Sequence, residues 1–217
     1  MPVLEDFEDD LSSWNNIVGS WAISSDSIVG SQSGKAEVDG SNNPNAGEVG
    51  QLNVSSQQPS ELSFWYKEPS TNLKAGLTLF DGNGNYIIGA GSDNPQYLYS
   101  TDGVNDTREG TNIETYNVWI EVTFTFDWSS GTVNIDWVPN DTSISSGSVT
   151  GVSLGTSNPI ETVGVGGITE SNTSYMWYDQ IQTPTQGFDI YIDGTQVKDI
   201  TIDGTTVQNV TIDGTTI

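Results

Sequence analysis

VWIEVTFTFDWSSGTVNIDWV, residues 118–138, alternates apolar and polar side chains with the period of two that a half-buried β-strand requires. One face of its first half is apolar and is predicted to form core: Val118, Ile120, Val122, Phe124 and Phe126. The other face is predicted to point outward: Trp119, Glu121, Thr123 and Thr125. Ser-Ser-Gly at 129–131 supplies a turn, after which Val133, Ile135 and Trp137 continue the core face. The stretch therefore predicts an antiparallel hairpin with one buried face.

The chain around this hairpin follows the same pattern. Short β-type runs, such as Trp21 to Val29, Glu61 to Lys67 and Tyr175 to Ile181, are separated by clusters of Gly, Asn, Ser, Asp and Pro. No helical periodicity interrupts them. About ten to twelve strands fit an antiparallel two-sheet sandwich of jelly-roll type. The sequence thus predicts an all-β fold, with a jelly-roll domain over residues 1–185 and a short β-repeat element over residues 186–217.

Three groups of residues follow a recognisable order along the predicted domain. The hairpin has Trp119, then FDW at 126–128 and GTV at 131–133; the opening reads EDFEDDLSSW at 5–14, and the last run reads YMWYDQIQ at 175–182. Together they resemble strands of concanavalin A-like, laminin-G-like jelly rolls, a fold found in surface proteins of haloarchaeal viruses. The resemblance implies a domain that binds glycans, hydrolyses them or serves as an adhesive module, and fold alone does not choose among these.

The C-terminus is a repeat with a period of ten: IDGTQVKDIT from Ile192, IDGTTVQNVT from Ile202, then IDGTTI to Ile217. Its β-branched residues suit extended chain, and each Asp-Gly predicts a two-residue turn. Repeat architectures need about three or more stacked units to bury a core. We therefore predict a homo-oligomer, a trimer or pentamer, although a small meander folded back on the main domain is the alternative. The residues predicted to mediate oligomerisation are Ile192, Val197, Ile200, Ile202, Val207, Val210, Ile212 and Ile217.

Net charge is the strongest compositional signal, with 29 acidic residues against 5 basic ones. Such a surface repels phosphate backbones, so we expect no nucleic-acid partner. Two settings make such charge tolerable: molar salt, which shortens the Debye length to about 3 Å and screens self-repulsion, or abundant divalent cations. We favour the first, in a haloarchaeal host. No stretch approaches the roughly 18 apolar residues of a membrane span, and MPVLEDFEDD is acidic where a signal peptide is basic. We expect neither membrane insertion nor an export signal.

The chain has no histidine and no cysteine, which removes the usual general base, zinc ligands, thiol nucleophiles and disulfides. Glycosidases need only two carboxylates, set roughly 5 to 10 Å apart. The resemblance implies that they would stand on one strand as Glu-x-Asp-x-x-Glu, and that string is absent from the sequence. Glu121 is the nearest approach, without a companion on its strand. The sequence therefore predicts that the protein is not an enzyme.

Strand parity assigns several aromatic side chains to outward sheet faces: Trp65, Trp119, Tyr97, Tyr99 and Tyr178. A row of exposed rings would stack on the apolar faces of sugar rings, while nearby Asn, Asp and Gln take the sugar hydroxyls. We predict that these aromatics contact a glycan. The alternative is that they contact a neighbouring subunit or the C-terminal element, because aromatics are also enriched at protein interfaces.

Acidic residues from the two ends of the domain form a second candidate site. Asp6 or Glu8 on the first strand and Asp179 on the last would supply the oxygen ligands that Ca²⁺ prefers. The resemblance implies such a structural ion, and the alternative is a solvated acidic edge. DGNGN at 81–85 also begins like a calcium loop, but Tyr86 replaces the next glycine and Ser92 the terminal Glu. We interpret it as a hairpin turn.

The leading hypothesis is a structural surface protein of a haloarchaeal virus, either a capsid turret, a decoration protein or a tail-fibre component. It would lie on the virion surface in high salt, contact other virion proteins and contribute to attachment to host-surface glycans. The alternative is a cellular carbohydrate-binding module associated with a glycan-degrading enzyme.

Overall fold

The chain divides into two compact units, Met1–Pro184 and Thr185–Ile217. The computed structural model describes residues 3–16, 19–38, 49–69, 73–93, 97–101, 106–109, 117–169 and 174–184, with short strand segments between 190 and 216. All regular structure in these ranges is β-strand. Within the same ranges, no helix has the length and apolar character needed to cross a bilayer.

The larger unit contains the strands of a sandwich, which in chain order are β1 (Val3–Glu5), β2 (Trp14–Asn16), β3 (Ser20–Ser24), β4 (Ser33–Val38), β5 (Gly50–Gln57), β6 (Glu61–Lys67), β7 (Leu73–Phe80), β8 (Tyr86–Asp93), β9 (Tyr97–Thr101), β10 (Asp106–Glu109), β11 (Ile120–Asp127), β12 (Thr132–Pro139), β13 (Gly147–Ser153), β14 (Ile160–Thr169) and β15 (Ser174–Gln182). They form two sheets. Sheet A has the order β13-β12-β11-β6-β15-β4-β3, with β1 paired to β15, and sheet B has the order β10-β9-β8-β7-β14-β5-β2. The predicted all-β, antiparallel two-sheet jelly roll is confirmed.

The hairpin of β11 and β12 has the predicted faces, except that Val118, predicted as core, lies before β11 and is only half-buried. Cross-strand partners run from Ile120 with Pro139 to Asp127 with Thr132, and alternate residues on both strands are buried. The predicted core residues of these strands have at most 8% of their surface exposed. In the turn, hydrogen bonds from Ser129 and Ser130 to the Asp127 carboxylate lower the pKa of Asp127 to about 2. This carboxylate therefore fixes the turn through backbone hydrogen bonds.

Tyr178 joins the two sheets. It lies on β15 of sheet A, is fully buried, and its hydroxyl donates to the carbonyl of Gly76 on β7 at 2.8 Å. The N–H of Gly166 on β14 donates to the same oxygen at 3.1 Å. Both partners belong to sheet B, so one hydroxyl forms a polar link across the core. Burial raises the pKa of the Tyr178 hydroxyl, which keeps its proton available for donation.

The two residues that bond to the Tyr178 hydroxyl, Gly76 and Gly166, must both be glycine. A Cβ on Gly76 would lie 2.3 Å from the carbonyl oxygen of Ala90, and Gly166 has a φ of +145°, which other residues rarely adopt. Glycine is therefore needed at both positions for the packing of β7 and β14 against their own neighbours, Ala90 and Val49.

The prediction that Tyr178 lies on an outward face is wrong, and a β-bulge is the reason. Alternation counted back from the buried Ile181 would place Tyr178 outside. However, the register shifts between Asp179 and Gln182, and Gln180 has a φ of +41°. The extra residue brings Tyr178 and Ile181 to the same, buried face.

The described residues of the smaller unit form three short hairpins: β16 (Ile190–Ile192) with β17 (Thr195–Val197), β18 (Thr201–Ile202) with β19 (Thr205–Thr206), and β20 (Thr211–Ile212) with β21 (Thr215–Thr216). Each pairs the Ile before an Asp-Gly with the Thr after it, as a two-residue turn requires. Ile200, Val207, Val210 and Ile217 lie outside the described residues, as do the side-chain contacts of Ile192, Val197, Ile202 and Ile212. Oligomerisation through this repeat stays a prediction.

Replacing Tyr178 by Phe is expected to lower the free energy of unfolding by about 1–3 kcal/mol, because the buried N–H of Gly166 and carbonyl of Gly76 lose their partner. Urea titration followed by fluorescence measures this change. Tyr175→Phe is the matched control, since Tyr175 lies on the opposite face of the same strand and is half-exposed. An equal effect in the two variants would contradict the assigned role of the Tyr178 hydroxyl.

Candidate functional site

Aromatic rings and lysines alternate across the outer face of sheet A. Lys67 on β6 lies opposite Trp177 on β15, and Trp177 lies opposite Lys35 on β4. The Lys67 Nζ is 4.9 Å from the ring centroid of Trp119 and 5.0 Å from that of Trp177. The Lys35 Nζ is 3.9 Å from the ring centroid of Tyr175 and 5.5 Å from that of Trp177. We refer to these five residues as the aromatic-lysine row.

The row follows from strand alternation. On β15, Met176 and Tyr178 are buried in the core, so Tyr175 and Trp177 point outward and are half-exposed. Their ring centroids are 6.4 Å apart. The indole N–H of Trp177 donates to the Ser24 hydroxyl at 3.0 Å, which fixes the ring orientation. The result is a pair of neighbouring, partly accessible rings on a rigid strand.

Lys67 is the buried cation of the row. Only 8% of its side-chain surface is exposed, and it forms an ion pair with Asp26 in the segment that follows β3. Aromatic rings flank it on two sides, and cation–π contacts add to the stabilisation of a desolvated ammonium. Lys67 thus orders Trp119, Trp177 and the Asp26 segment together.

The segment between β3 and β4 is held by two more carboxylates. The Asp179 Oδ2 accepts hydrogen bonds from the N–H groups of Ile28 and Val29 at 2.9 and 3.0 Å. The Glu8 Oε1 accepts from Ser31 and Gln32 at 2.8 and 3.0 Å. This anchoring explains why β3 ends at Ser24, although the sequence predicts a strand that continues to Val29. Four backbone N–H groups of the segment thus donate to carboxylates, and the Asp26 carbonyl accepts a hydrogen bond from the Ser33 hydroxyl.

The residues predicted for calcium have different surroundings. Asp6 is exposed and accepts a hydrogen bond from the N–H of Glu8 at 3.2 Å. Hydrogen bonds from Ser31 and Gln32 lower the pKa of Glu8, whereas burial raises that of Asp179. Among the described residues, no three acidic, His or Cys side chains are grouped to hold a metal.

The carboxylate oxygens of Asp179 and Glu8 differ in their hydrogen bonding. The Asp179 Oδ1 is buried and has no hydrogen-bond partner, while the other carboxylate oxygen of Asp179 and both oxygens of Glu8 accept hydrogen bonds from the segment between β3 and β4. Calcium binding stays a prediction, and its test is the change in melting temperature when Ca²⁺ is added to chelator-treated protein.

The aromatics predicted to contact a glycan separate in the structure. Trp65 lies half-exposed on the outer face of sheet A, opposite Glu121 on one side and Asp179 on the other. Trp119 is also on this side but is only 6% exposed, because Lys67 covers its ring; the prediction that it is exposed is wrong. Tyr97 and Tyr99 belong to β9 of sheet B, and their side chains lie outside the described residues. The five predicted residues therefore do not form one row.

Sequence reasoning missed four members of the row, namely Tyr175, Trp177, Lys35 and Lys67. The alternation of YMWY was available as a signal, and so was the scarcity of lysine in an acidic chain. What the sequence did not provide was the register that places β6, β15 and β4 side by side.

The turn at 81–85 joins β7 to β8, as predicted. The Asp81 carboxylate accepts hydrogen bonds from the N–H groups of Asn83 and Asn85, both at 2.9 Å, and from the side-chain amides of Asn85 and Asn158. These bonds lower the pKa of Asp81. A polar cavity of about 390 Å³ lies beside the turn and is also lined by Glu161. Since both Asp81 oxygens are engaged, the turn is fixed without a metal ligand role for Asp81.

Glu121, the carboxylate nearest to a hydrolase pattern, lies opposite Trp65 on the outer face of sheet A. Burial raises its pKa, and the charge of Glu61 adds to the effect. Such a shift favours the protonated carboxyl, the form that a general acid requires. The prediction that the protein is not an enzyme stays a prediction.

No protein-family model matches the sequence, and no curated protein matches it. Among solved structures, the chain is similar to a sialidase, with a TM-score of 0.58 and 10% identity over 85% of this chain and 18% of the sialidase. It is also similar to a GH131 β-glucanase catalytic domain from Podospora anserina, with a TM-score of 0.51 and 14% identity over 85% and 97% of the two chains.

A third similar structure is the Bacillus licheniformis β-glucanase, with a TM-score of 0.50 and 12% identity over 84% of this chain and 97% of the glucanase. This chain thus spans less than a fifth of the sialidase and nearly all of each glucanase structure. At these identities the likeness is one of fold, and it agrees with the concanavalin A-like resemblance of the sequence.

Replacing Asp179 by Ala is expected to speed hydrogen exchange at the amides of Ile28 and Val29 by about 10- to 100-fold, because both lose their acceptor. Exchange followed by NMR measures this. Asp141→Ala is the control, since Asp141 holds an exposed turn through Ser143. Unchanged exchange at Ile28 and Val29 would contradict the anchoring of this segment by Asp179.

Proposed function

We propose that the jelly-roll unit is a glycan-binding module whose contact surface is the outer face of sheet A. The observation that carries the proposal is the group of half-exposed rings on this face, those of Trp65, Trp177 and Tyr175. Sugar rings present apolar C–H faces that pack on aromatic rings, and their hydroxyls need polar neighbours. Glu121 opposite Trp65 and Glu37 opposite Tyr175 supply such groups.

The Trp177 ring is also held in place before any ligand binds. Trp177 is fixed by its hydrogen bond to Ser24 and by its contact with Lys67, which is itself paired with Asp26. A preordered ring loses little conformational entropy on binding, so more of the contact free energy appears as affinity. The sialidase and β-glucanases of similar fold are named for action on glycans, which supports this ligand class.

Replacing Trp177 by Ala is expected to weaken glycan binding by about tenfold or more, since stacked aromatic contacts contribute about 0.5–1.5 kcal/mol beyond the area they bury. Trp65→Ala is expected to act in the same direction. A glycan array followed by calorimetric titration measures both. Ser55→Ala, a change at an exposed residue of β5 in sheet B, is the control. Binding that persists unchanged in both Trp variants would reject this face as the contact surface.

We propose further that the chain is a surface protein of a haloarchaeal virion, as a turret, decoration or tail-fibre component. The unit Thr185–Ile217 would join copies into a trimer or pentamer and place several glycan-binding faces on one particle. Three hairpins at ten-residue spacing support an assembly element, because each is too short to bury a core alone. The net charge of −24 supports a high-salt environment.

Deleting residues 185–217 is expected to convert an oligomer into a monomer. Size-exclusion chromatography with light scattering, in about 3 M salt to screen self-repulsion, measures the mass of both forms. The truncated unit is expected to keep its intrinsic glycan affinity and to lose avidity on a glycan-coated surface, because linked sites raise effective concentration. A full-length chain that is already monomeric would contradict the assembly role.

A cellular carbohydrate-binding module, associated with a glycan-degrading enzyme, is the second candidate. The similarity in fold to three glycan-active proteins favours it. The two candidates differ in where the native protein is found. Mass spectrometry of purified virions would detect the chain in the first case, and its recovery with a glycan-degrading enzyme would support the second.

A further inference from the structure

The two lysines of the aromatic-lysine row differ in their electrostatic surroundings. Lys67 is buried and forms an ion pair with Asp26. Lys35 is half-exposed, and within the described part of the chain it forms no ion pair. Its ammonium instead lies 3.9 Å from the ring centroid of Tyr175. A cation–π contact does not neutralise charge, so Lys35 keeps its capacity to pair with an anion.

An unpaired lysine is unexpected in this composition. Acidic residues outnumber basic ones by 29 to 5, so most of the surface attracts cations and repels anions. Lys35 nevertheless stands beside the two accessible rings of Tyr175 and Trp177. The positive charge is therefore located where a stacked ligand would lie.

The position of Lys35 in the sheet also leaves room beside it. Lys67 has an aromatic ring on each side, whereas Lys35 has Trp177 on one side and Ala22 on the other. Ala22 is exposed, belongs to β3 at the edge of sheet A, and has a side chain too small to cover the ammonium. A substituent of a sugar on the rings can approach Lys35 from this side.

We infer that the glycan recognised by this face carries an anionic group, a carboxylate or a sulfate, which pairs with Lys35 while the sugar ring stacks on Trp177 or Tyr175. The inference rests on the proposed glycan-binding function and narrows its ligand class to acidic saccharides. A charge-assisted hydrogen bond at a partly buried lysine discriminates strongly against a neutral sugar of the same shape.

Glu37 is the carboxylate that competes with such a ligand. It lies two residues from Lys35 on the same face of β4, opposite both Tyr175 and Ser20. The Ser20 hydroxyl donates to it at 3.3 Å, and it is not within ion-pair distance of Lys35. Because its charge repels an anionic ligand, Glu37→Gln is expected to increase the preference for an acidic saccharide over its neutral partner.

The test compares matched saccharides on the full chain. The probes are uronic-acid oligosaccharides with their methyl esters, and sulfated oligosaccharides with their desulfated forms. Titration calorimetry in sodium chloride solution gives the affinity of each. The acidic member of a pair is expected to bind about tenfold or more tightly than its neutral partner. The pair that shows this difference identifies the anion as carboxylate or sulfate.

Three variants test whether the charge of Lys35 causes the preference for the acidic saccharide. Lys35→Met keeps the apolar stem and removes the charge, so it is expected to abolish the preference while neutral binding persists. Lys35→Arg is expected to retain it. Lys74→Met, which changes net charge equally on β7 of the other sheet, is the control. Thermal melting verifies that each variant is folded.

The outcomes separate this inference from the function on which it rests. Equal affinity for acidic and neutral members, or a preference that survives Lys35→Met, would overturn the inference and leave glycan binding standing. A loss of preference in Lys74→Met equal to that in Lys35→Met would also overturn it, since the effect would then come from net charge. Failure of every probe to bind would overturn both.

Discussion

The hydrogen bonds of one buried hydroxyl, that of Tyr178, set the relation between the two sheets. The hydroxyl donates to the carbonyl of Gly76 on β7 and accepts from the N–H of Gly166 on β14. Its strand, β15, lies near the middle of sheet A and pairs with β1, β4 and β6. Trp177 and Asp179 flank Tyr178 on the other face of β15. The strand that closes the core therefore also positions the Trp177 ring of the candidate site and the buried carboxylate that anchors the segment between β3 and β4.

Alternation predicted the fold well where strands are regular. The β11–β12 hairpin has its turn and the faces of both strands as expected, because uninterrupted alternation assigns each side chain to one face of the sheet. The prediction was wrong where the backbone departs from alternation for a tertiary reason. The bulge at Gln180 reverses the face of Tyr178, and the hydrogen bonds of Ile28 and Val29 to Asp179 end β3 early. Neither departure has a local signal, because each depends on a partner distant in sequence.

The candidate site was less predictable than the fold for a related reason. Its members come from β4, β6, β15 and the residue before β11, and only sheet order brings them together. Trp65 was found because its own strand shows which way it points. Trp119 was assigned to the correct side of the sheet, yet its burial depends on Lys67, whose ammonium lies over the ring. Strand alternation predicts the face on which a side chain lies. It does not predict whether a side chain from a neighbouring strand covers it.

Acidic side chains hold turns throughout the described structure. Asp10, Asp127 and Asp141 accept backbone N–H groups from serines just after them, and Asp81 does the same for two asparagines. Their pKa values are lowered, so the stability they contribute is present above the unfolded-state pKa near 4 and is lost as pH falls through the folded-state values. Low pH and low ionic strength therefore destabilise the turns through the same carboxylates but by different effects. Acid removes the charge that closes each turn, whereas low salt leaves that charge unscreened and repelled by its neighbours, so the stability of these turns depends on both pH and ionic strength.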